Sequence, residues 1–252
     1  MPGVRVFDAH LHIIDPRFAL VPNRGYAPAP FTVEDYRART AGLDVAGGAV
    51  VAGSFQGEDP APLLDALARL GPDFAGVAQP GPEATDADLL GLDRAGVRGV
   101  RLNLVRGDRS LPALVRLAER AAALVGWHAE LYVDARELDA LAPRLRGLPR
   151  VSVDHLGLSR EGLPSLLRMA ARGAKVKASG FGRVGDLDVG AALRAIAAED
   201  PSALMFGTDL PSTRAPRPFA DADLALVLAA LGPELGRRAL YDNAAQLYGA
   251  RR

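Results

Sequence analysis

The chain has 252 residues, 49% of them hydrophobic and 24% charged, with 30 basic residues balanced by 30 acidic ones and no cysteine. This composition excludes a disordered or fibrous chain, and the absence of cysteine excludes a disulfide framework, a thiolate metal site and a cysteine nucleophile. The balanced charge, without a dense Lys/Arg run, argues against nucleic acid or an anionic membrane as partner.

The length is close to the roughly 250 residues of a complete (β/α)₈ barrel, so a single domain spanning 1–252 is expected. No run reaches the roughly 18 uninterrupted apolar residues of a membrane span, and the first residues lack a basic segment followed by an apolar one. A soluble cytoplasmic protein, monomeric or a small homo-oligomer, is the expectation. Only Lys175 and Lys177 among the basic residues are lysines.

The first predicted strand, 4–13, carries Asp8, His10 and His12 on one face and Phe7, Ala9 and Leu11 on the other, because strand side chains alternate. Two imidazoles near a strand end are costly to bury unless they meet a metal, a carboxylate or a substrate. The segment 14–30 holds four prolines and no periodicity, which predicts a long loop over the barrel mouth where Arg24 and Tyr26 could help to close a site. Thr32 ahead of Asp35 resembles a capping box.

Further strands are predicted at 47–54, 74–80, 96–104, 128–134, 151–157, 175–183 and 204–211. Helical stripes lie between them: Leu63, Leu67 and Leu70; Leu111, Leu114, Val115, Ala118 and Ala122; Val189, Leu193 and Ile196; Leu224, Val227, Leu228 and Leu231. Strand alternating with helix eight times predicts an α/β fold, a (β/α)₈ TIM barrel. No glycine-rich turn follows the first strand, which argues against a dinucleotide-binding sheet.

Arg101 and Asn103 share a face of the fourth strand, and an arginine in a barrel mouth suits bidentate binding of a carboxylate. On the fifth strand His128 sits at the bottom and reads as structural, while Glu130 and Tyr132 lie progressively nearer the top; Tyr132 is the more plausible hydrogen-bond donor to substrate. His155 ends the sixth strand, with Asp154 expected to face the opposite way. Arg183 follows Ser179-Gly180 and is a second carboxylate-binding candidate. Asp209 ends the eighth strand, adjacent to the first in a closed barrel, and is suited to act as general base.

In order, Phe7-Asp8-Ala9-His10-Leu11-His12, Gly99-Val100-Arg101-Leu102-Asn103, Trp127-His128-Ala129-Glu130-Leu131-Tyr132, Val153-Asp154-His155-Leu156-Gly157, Lys177-Ala178-Ser179-Gly180, Gly207-Thr208-Asp209-Leu210-Pro211 and the run from Asp242-Asn243-Ala244 to Leu247-Tyr248-Gly249 resemble the amidohydrolase-related family. The likeness is to its branch of 2-pyrone-4,6-dicarboxylate hydrolase-like lactonases. The resemblance implies a metal-dependent-hydrolase-like barrel that opens a small anionic lactone or related ester. It implies Asp209 as general base, His10, His12 and His155 on the carbonyl, and Arg101 and Arg183 on a substrate carboxylate.

Leu158 stands where those hydrolases usually carry an arginine, Ser212 where a histidine is common, and Arg106-Gly107-Asp108-Arg109 near a further arginine of theirs. These departures point to a different or less acidic lactone. The resembled branch works without a metal, so no cofactor is expected; a single zinc ion on His10, His12 and Asp209, with Glu130 or His155, is the alternative. The rival readings are a zinc-dependent decarboxylase of the same superfamily and a non-catalytic barrel that binds a small acid.

Overall fold

The computed structural model describes residues 4–22, 25–106 and 110–249. Arg24 and the Gly107-Asp108-Arg109 stretch lie outside the described residues. Eight strands, β1 (Arg5–Leu11), β2 (Asp44–Val51), β3 (Phe74–Ala78), β4 (Val97–Asn103), β5 (His128–Tyr132), β6 (Val151–Val153), β7 (Lys175–Ala178) and β8 (Leu204–Phe206), form one sheet in chain order. Every ladder between neighbours is parallel.

The sheet curls until β1 meets the chain just beyond β8. There the amide of Asp209 donates to the His10 carbonyl at 2.7 Å and the amide of His12 donates to the Leu210 carbonyl at 2.8 Å. This seam requires a glycine at 207, because a Cβ there would stand 2.7 Å from the His10 nitrogen.

Around the sheet lie α1 (Val33–Thr40), α2 (Ala61–Leu70), α3 (Asp86–Arg94), α4 (Leu111–Val125), α5 (Leu138–Leu145), α6 (Leu163–Ala170), α7 (Val189–Glu199), α8 (Asp221–Arg237) and α9 (Asn243–Tyr248). The predicted cap is present: Thr32 Oγ1 accepts from the Asp35 amide while Asp35 accepts from the Thr32 amide, satisfying donors that a helix start leaves unpaired. Thr85 and Asp88 repeat the device on α3. No helix among the described residues is long and apolar enough to cross a membrane.

The core divides in two. Strand residues such as Leu11, Val100, Leu131, Val176 and Phe206 pack outward against the helices, while a smaller cluster of Phe7, Ala9, Ala49, Val77, Met205 and Tyr248 fills the lower interior. Tyr248 of α9 stacks on Phe7 at 5.6 Å between ring centroids and plugs the barrel floor.

The expected alternation along β1 holds only in part. Register shifts interrupt the β1–β2 ladder on both sides of Phe7 and Asp8, so Phe7 and Ala9 join the inner cluster although His10 and His12 also face the interior. Asp8 does not share their surroundings: its carboxylate accepts from the Tyr36 hydroxyl of α1 at 3.0 Å and from the Thr208 amide and hydroxyl at 2.8 and 2.7 Å. It ties β1 to α1 and to the loop after β8.

Candidate active site

The predicted strands at 151–157, 175–183 and 204–211 overrun the real ones, which stop at Val153, Ala178 and Phe206. The surplus residues form the turns at the C-terminal mouth, where barrel enzymes carry their chemistry. His155 begins a short 3₁₀ turn at φ 50°, and Asp209 has φ 58°. Left-handed backbone at a residue other than glycine costs energy and needs surroundings that enforce it; such positions gather at working sites.

These turns bring His10, His12, His155 and Asp209 together. Asp209 Oδ1 lies 3.9 Å from His10 Nε2, 3.9 Å from His155 Nε2 and 4.0 Å from His12 Nε2. All four side chains are buried. Neither Asp209 Oδ1 nor His10 Nε2 has a hydrogen-bond partner among the described residues, so both are aimed at the space between them. Asp209 Oδ2 accepts from Arg183 Nε at 2.6 Å.

Second contacts orient the imidazoles. His12 Nδ1 lies 2.7 Å from the Val51 carbonyl, which can only accept, so Nδ1 carries the proton and Nε2 presents a lone pair. His155 Nδ1 meets Ser179 Oγ at 3.0 Å. Gly180, at φ 58°, passes so close to that ring that a Cβ would stand 2.6 Å from His155 Nδ1.

Burial pushes the Asp209 carboxyl up to about 6, against the opposing pull of the Arg183 guanidinium. Burial, then the charge of Arg101, lowers His12 to about 3; His10 and His155 are held well below the ordinary imidazole range, first by burial. The site is thus a carboxylate poised near neutrality among neutral imidazoles.

Arg101 is buried and already engaged: Nη1 donates to the Ala52 carbonyl at 2.9 Å and Nη2 to Asp154 Oδ2 at 3.2 Å, leaving Nε without a partner. Tyr132 lies between, 5.4 Å from the Arg101 guanidinium and 5.6 Å from the His155 ring. Asn103 Oδ1 accepts from the Arg106 amide at 2.9 Å and holds the turn after β4. Tyr26 rests on the Arg214 guanidinium at 4.2 Å, in the loop after β8. His12, Arg101, Asn103, Tyr132, His155 and Arg183 line a mouth cavity of about 30 Å³; Tyr26 does not.

Asp154 departs from expectation. β6 ends at Val153 and the left-handed turn at His155 breaks the alternation, so Asp154 and His155 both enter the interior, Asp154 Oδ1 lying 3.4 Å from His10 Nδ1. Sequence reasoning also passed over Lys177, which is fully buried with its Nζ 2.5 Å from Glu130 Oε2. The available signal was that both lysines of the chain stand in this one four-residue strand, Lys175-Val176-Lys177-Ala178, the second of them well inside a run expected to be buried. Glu130 in turn accepts from the Tyr248 hydroxyl at 3.3 Å, and His128 sits beneath it with Nδ1 at 3.0 Å from the Arg98 carbonyl.

His10, His12 and Asp209 bring donor atoms within 4.8 Å of one another, as do His10, Asp154 and His155. The first set suits one divalent ion in position, because its two unpartnered atoms, His10 Nε2 and Asp209 Oδ1, converge there with His12 Nε2. Glu130 lies on the other side of the His10 ring, against Nδ1, and does not join it.

Residues 7–250 match the sequence profile of the family described as Amidohydrolase. The 2-pyrone-4,6-dicarboxylate hydrolase of Comamonas testosteroni is 35% identical over 156 residues, covering 60% of this chain and 51% of that enzyme, so the match spans about half of its length. The 4-sulfomuconolactone hydrolase of Rhizobium radiobacter is 28% identical over 96% of this chain and 89% of its own. A Pseudomonas putida crystal structure named as a candidate 2-pyrone-4,6-dicarboxylic acid hydrolase superposes with a TM-score of 0.84 at 27% identity, covering 99% of both chains.

Proposed function

The chain belongs to the amidohydrolase family, and from that premise we propose that it hydrolyses a lactone or related cyclic ester of a small carboxylic acid. The observation that carries this reading is the convergence of three imidazole Nε2 atoms on Asp209 Oδ1, at 3.9 to 4.0 Å, in a buried pocket at the barrel mouth. The spacing leaves room for a water or a carbonyl oxygen between the groups. Both named relatives are hydrolases of lactones.

Asp209 takes a proton from the attacking water as its oxygen bonds to the lactone carbonyl carbon. The imidazoles that carry an N–H toward the pocket stabilise the charge that develops on the carbonyl oxygen. The ring C–O bond then breaks, and the leaving oxygen recovers the proton as alcohol or enol. A pKa near 6 suits this exchange, since the group is mostly carboxylate at neutral pH yet basic enough to hold the proton.

The arginines explain why the substrate should be anionic. Arg183 bonds Asp209 and narrows a cavity of only about 30 Å³. A substrate carboxylate that draws Arg183 away widens the pocket and unmasks the base in one movement. Arg101 and Tyr132 then border the same carboxylate, with Arg101 Nε the unpartnered donor. A divalent ion, if bound by His10, His12 and Asp209, would supply an acidified water and a polarised carbonyl; the convergence of those donor atoms favours that second reading.

Elemental analysis of the purified protein, together with turnover of a panel of small anionic lactones before and after chelation, separates the two. Metal-free protein with chelator-resistant ring opening is the expected result. Stoichiometric zinc with chelator-sensitive turnover establishes the second reading instead, and inertness toward every lactone defeats both.

A further inference from the structure

Lys177 stands in β7 with its side chain sealed inside the barrel beneath the mouth. Its ammonium lies 2.5 Å from Glu130 Oε2, 3.2 Å from His10 Nδ1 and 3.8 Å from Asp154 Oδ1. It is one of two lysines among 30 basic residues. A compact ammonium, unlike a planar guanidinium, fits where single acceptors converge from three directions.

An ammonium has donors and no acceptor, so its contact with His10 is an N–H of Lys177 on the lone pair of Nδ1. The carboxylates near that nitrogen make no hydrogen bond to it. Asp154 Oδ1 at 3.4 Å and Glu130 Oε1 at 3.7 Å both lack a hydrogen-bond partner among the described residues. A ring whose Nδ1 accepts a hydrogen bond carries no proton there and has a single N–H. With Nδ1 accepting, that proton sits on Nε2, the atom that faces Asp209 Oδ1. His12 has the opposite arrangement, its Nδ1 proton spent on Val51 and its Nε2 lone pair toward the pocket.

We infer that Lys177 is a positioning residue that fixes His10 as its Nε2–H tautomer, so that the His-x-His pair offers the reacting oxygens one donor and one acceptor. A divalent ion requires lone pairs from both rings. His10 can supply one only by giving up the Lys177 contact, so the ammonium that makes His10 a donor also weakens the pocket for a cation. The tautomer follows from the contacts alone; its benefit to turnover rests on the lactone-hydrolase reading above.

Nitrogen-15 NMR of the imidazoles in the wild-type protein tests the core of this without any activity. His10 should show a protonated Nε2 and a bare Nδ1; a protonated Nδ1 overturns the inference. Zinc titration then compares wild type with Lys177→Met and with Lys177→Met/Glu130→Gln, the second removing both members of the buried ion pair so that no lone charge prevents folding. Zinc should bind about 10 to 100-fold more tightly once the ammonium is gone, the scale of outer contacts to ligating histidines. Unchanged zinc affinity in the folded double variant refutes the role. With an active lactone in hand, both variants should lose turnover in kcat rather than in KM, whereas a merely structural lysine would lower the amount of folded enzyme and leave kcat per folded molecule intact.

Discussion

Replacing Arg183 by glutamine removes the charge that sits 2.6 Å from Asp209 Oδ2 while keeping a polar N–H at the reach of the arginine Nε. Two unit charges about 3 Å apart at an effective dielectric of about 20 interact by roughly 5 kcal/mol. Water entering the vacated space reduces the effect, and opposite charges at such range typically move a carboxyl by about one to three pH units. Burial already lifts Asp209 to about 6 with the arginine opposing it; without the arginine the group should titrate at about 7 to 9.

In the proposed mechanism the base works as carboxylate, so activity should be present above the folded pKa and lost as pH falls through it. The acid limb of kcat/KM should therefore lie near 6 in the wild type and move upward in Arg183→Gln, so that at pH 7 roughly half or less of the variant is competent. Raising the pH should restore kcat/KM. Loss of a substrate contact would instead raise KM at every pH and leave the limb in place. Carbon-13 NMR of the Asp209 carboxyl in the free protein checks the same shift without substrate. A limb that stays near 6 in both measurements refutes the proposed coupling between Arg183 and the base.

Asp209→Asn should fold with an unchanged circular dichroism spectrum and lose roughly 10² to 10⁴-fold in kcat, the usual worth of a general base; near-normal turnover removes that assignment. Ser179→Ala, which leaves His155 Nδ1 without its partner, should cost about tenfold or more in kcat with little change in thermal midpoint. Asp8→Ala strands the Thr208 amide and the Tyr36 hydroxyl and should cost about 2 to 4 kcal/mol in denaturant unfolding, while a loss under 0.5 kcal/mol would show that these bonds contribute little. Burial holds the Asp8 carboxyl, like that of Asp209, up at about 6. The folded chain therefore binds these protons more tightly than the unfolded one, and their contribution makes stability decline as pH rises from about 4 to 6; a melt series in which Asp8→Asn keeps the full wild-type slope would exclude Asp8 as a source.

Period and punctuation were enough to place the eight strands, because a buried parallel strand is a short apolar run whatever the rest of the chain does. The strand ends were not legible. His155, Asp209 and Arg183 extend apolar or alternating runs in the sequence, yet their backbone has left the sheet, and a left-handed turn at a histidine or aspartate has no compositional mark. Strict alternation failed at Asp8 and Asp154 for the same reason, since one irregular residue reverses every face beyond it. The mouth residues could be named from their types, whereas the layer beneath them, Lys177 with Glu130 and Asp154, became visible only when β5, β7 and the turn after β6 supplied one charge each to the same enclosed volume.

The seam between the chain's two ends has a consequence for how the molecule is made. The bonds that close the barrel are given and accepted by the backbones of His10, His12, Asp209 and Leu210, residues about 200 positions apart in sequence. Contacts of such separation carry the greatest loop-closure entropy and form late. Competence and closure are therefore one event: a nascent or refolding chain can acquire most of its helices and strands and still have no reactive centre until its last strand reaches its first. Recovery of activity would then time the final step of folding, behind the recovery of secondary structure.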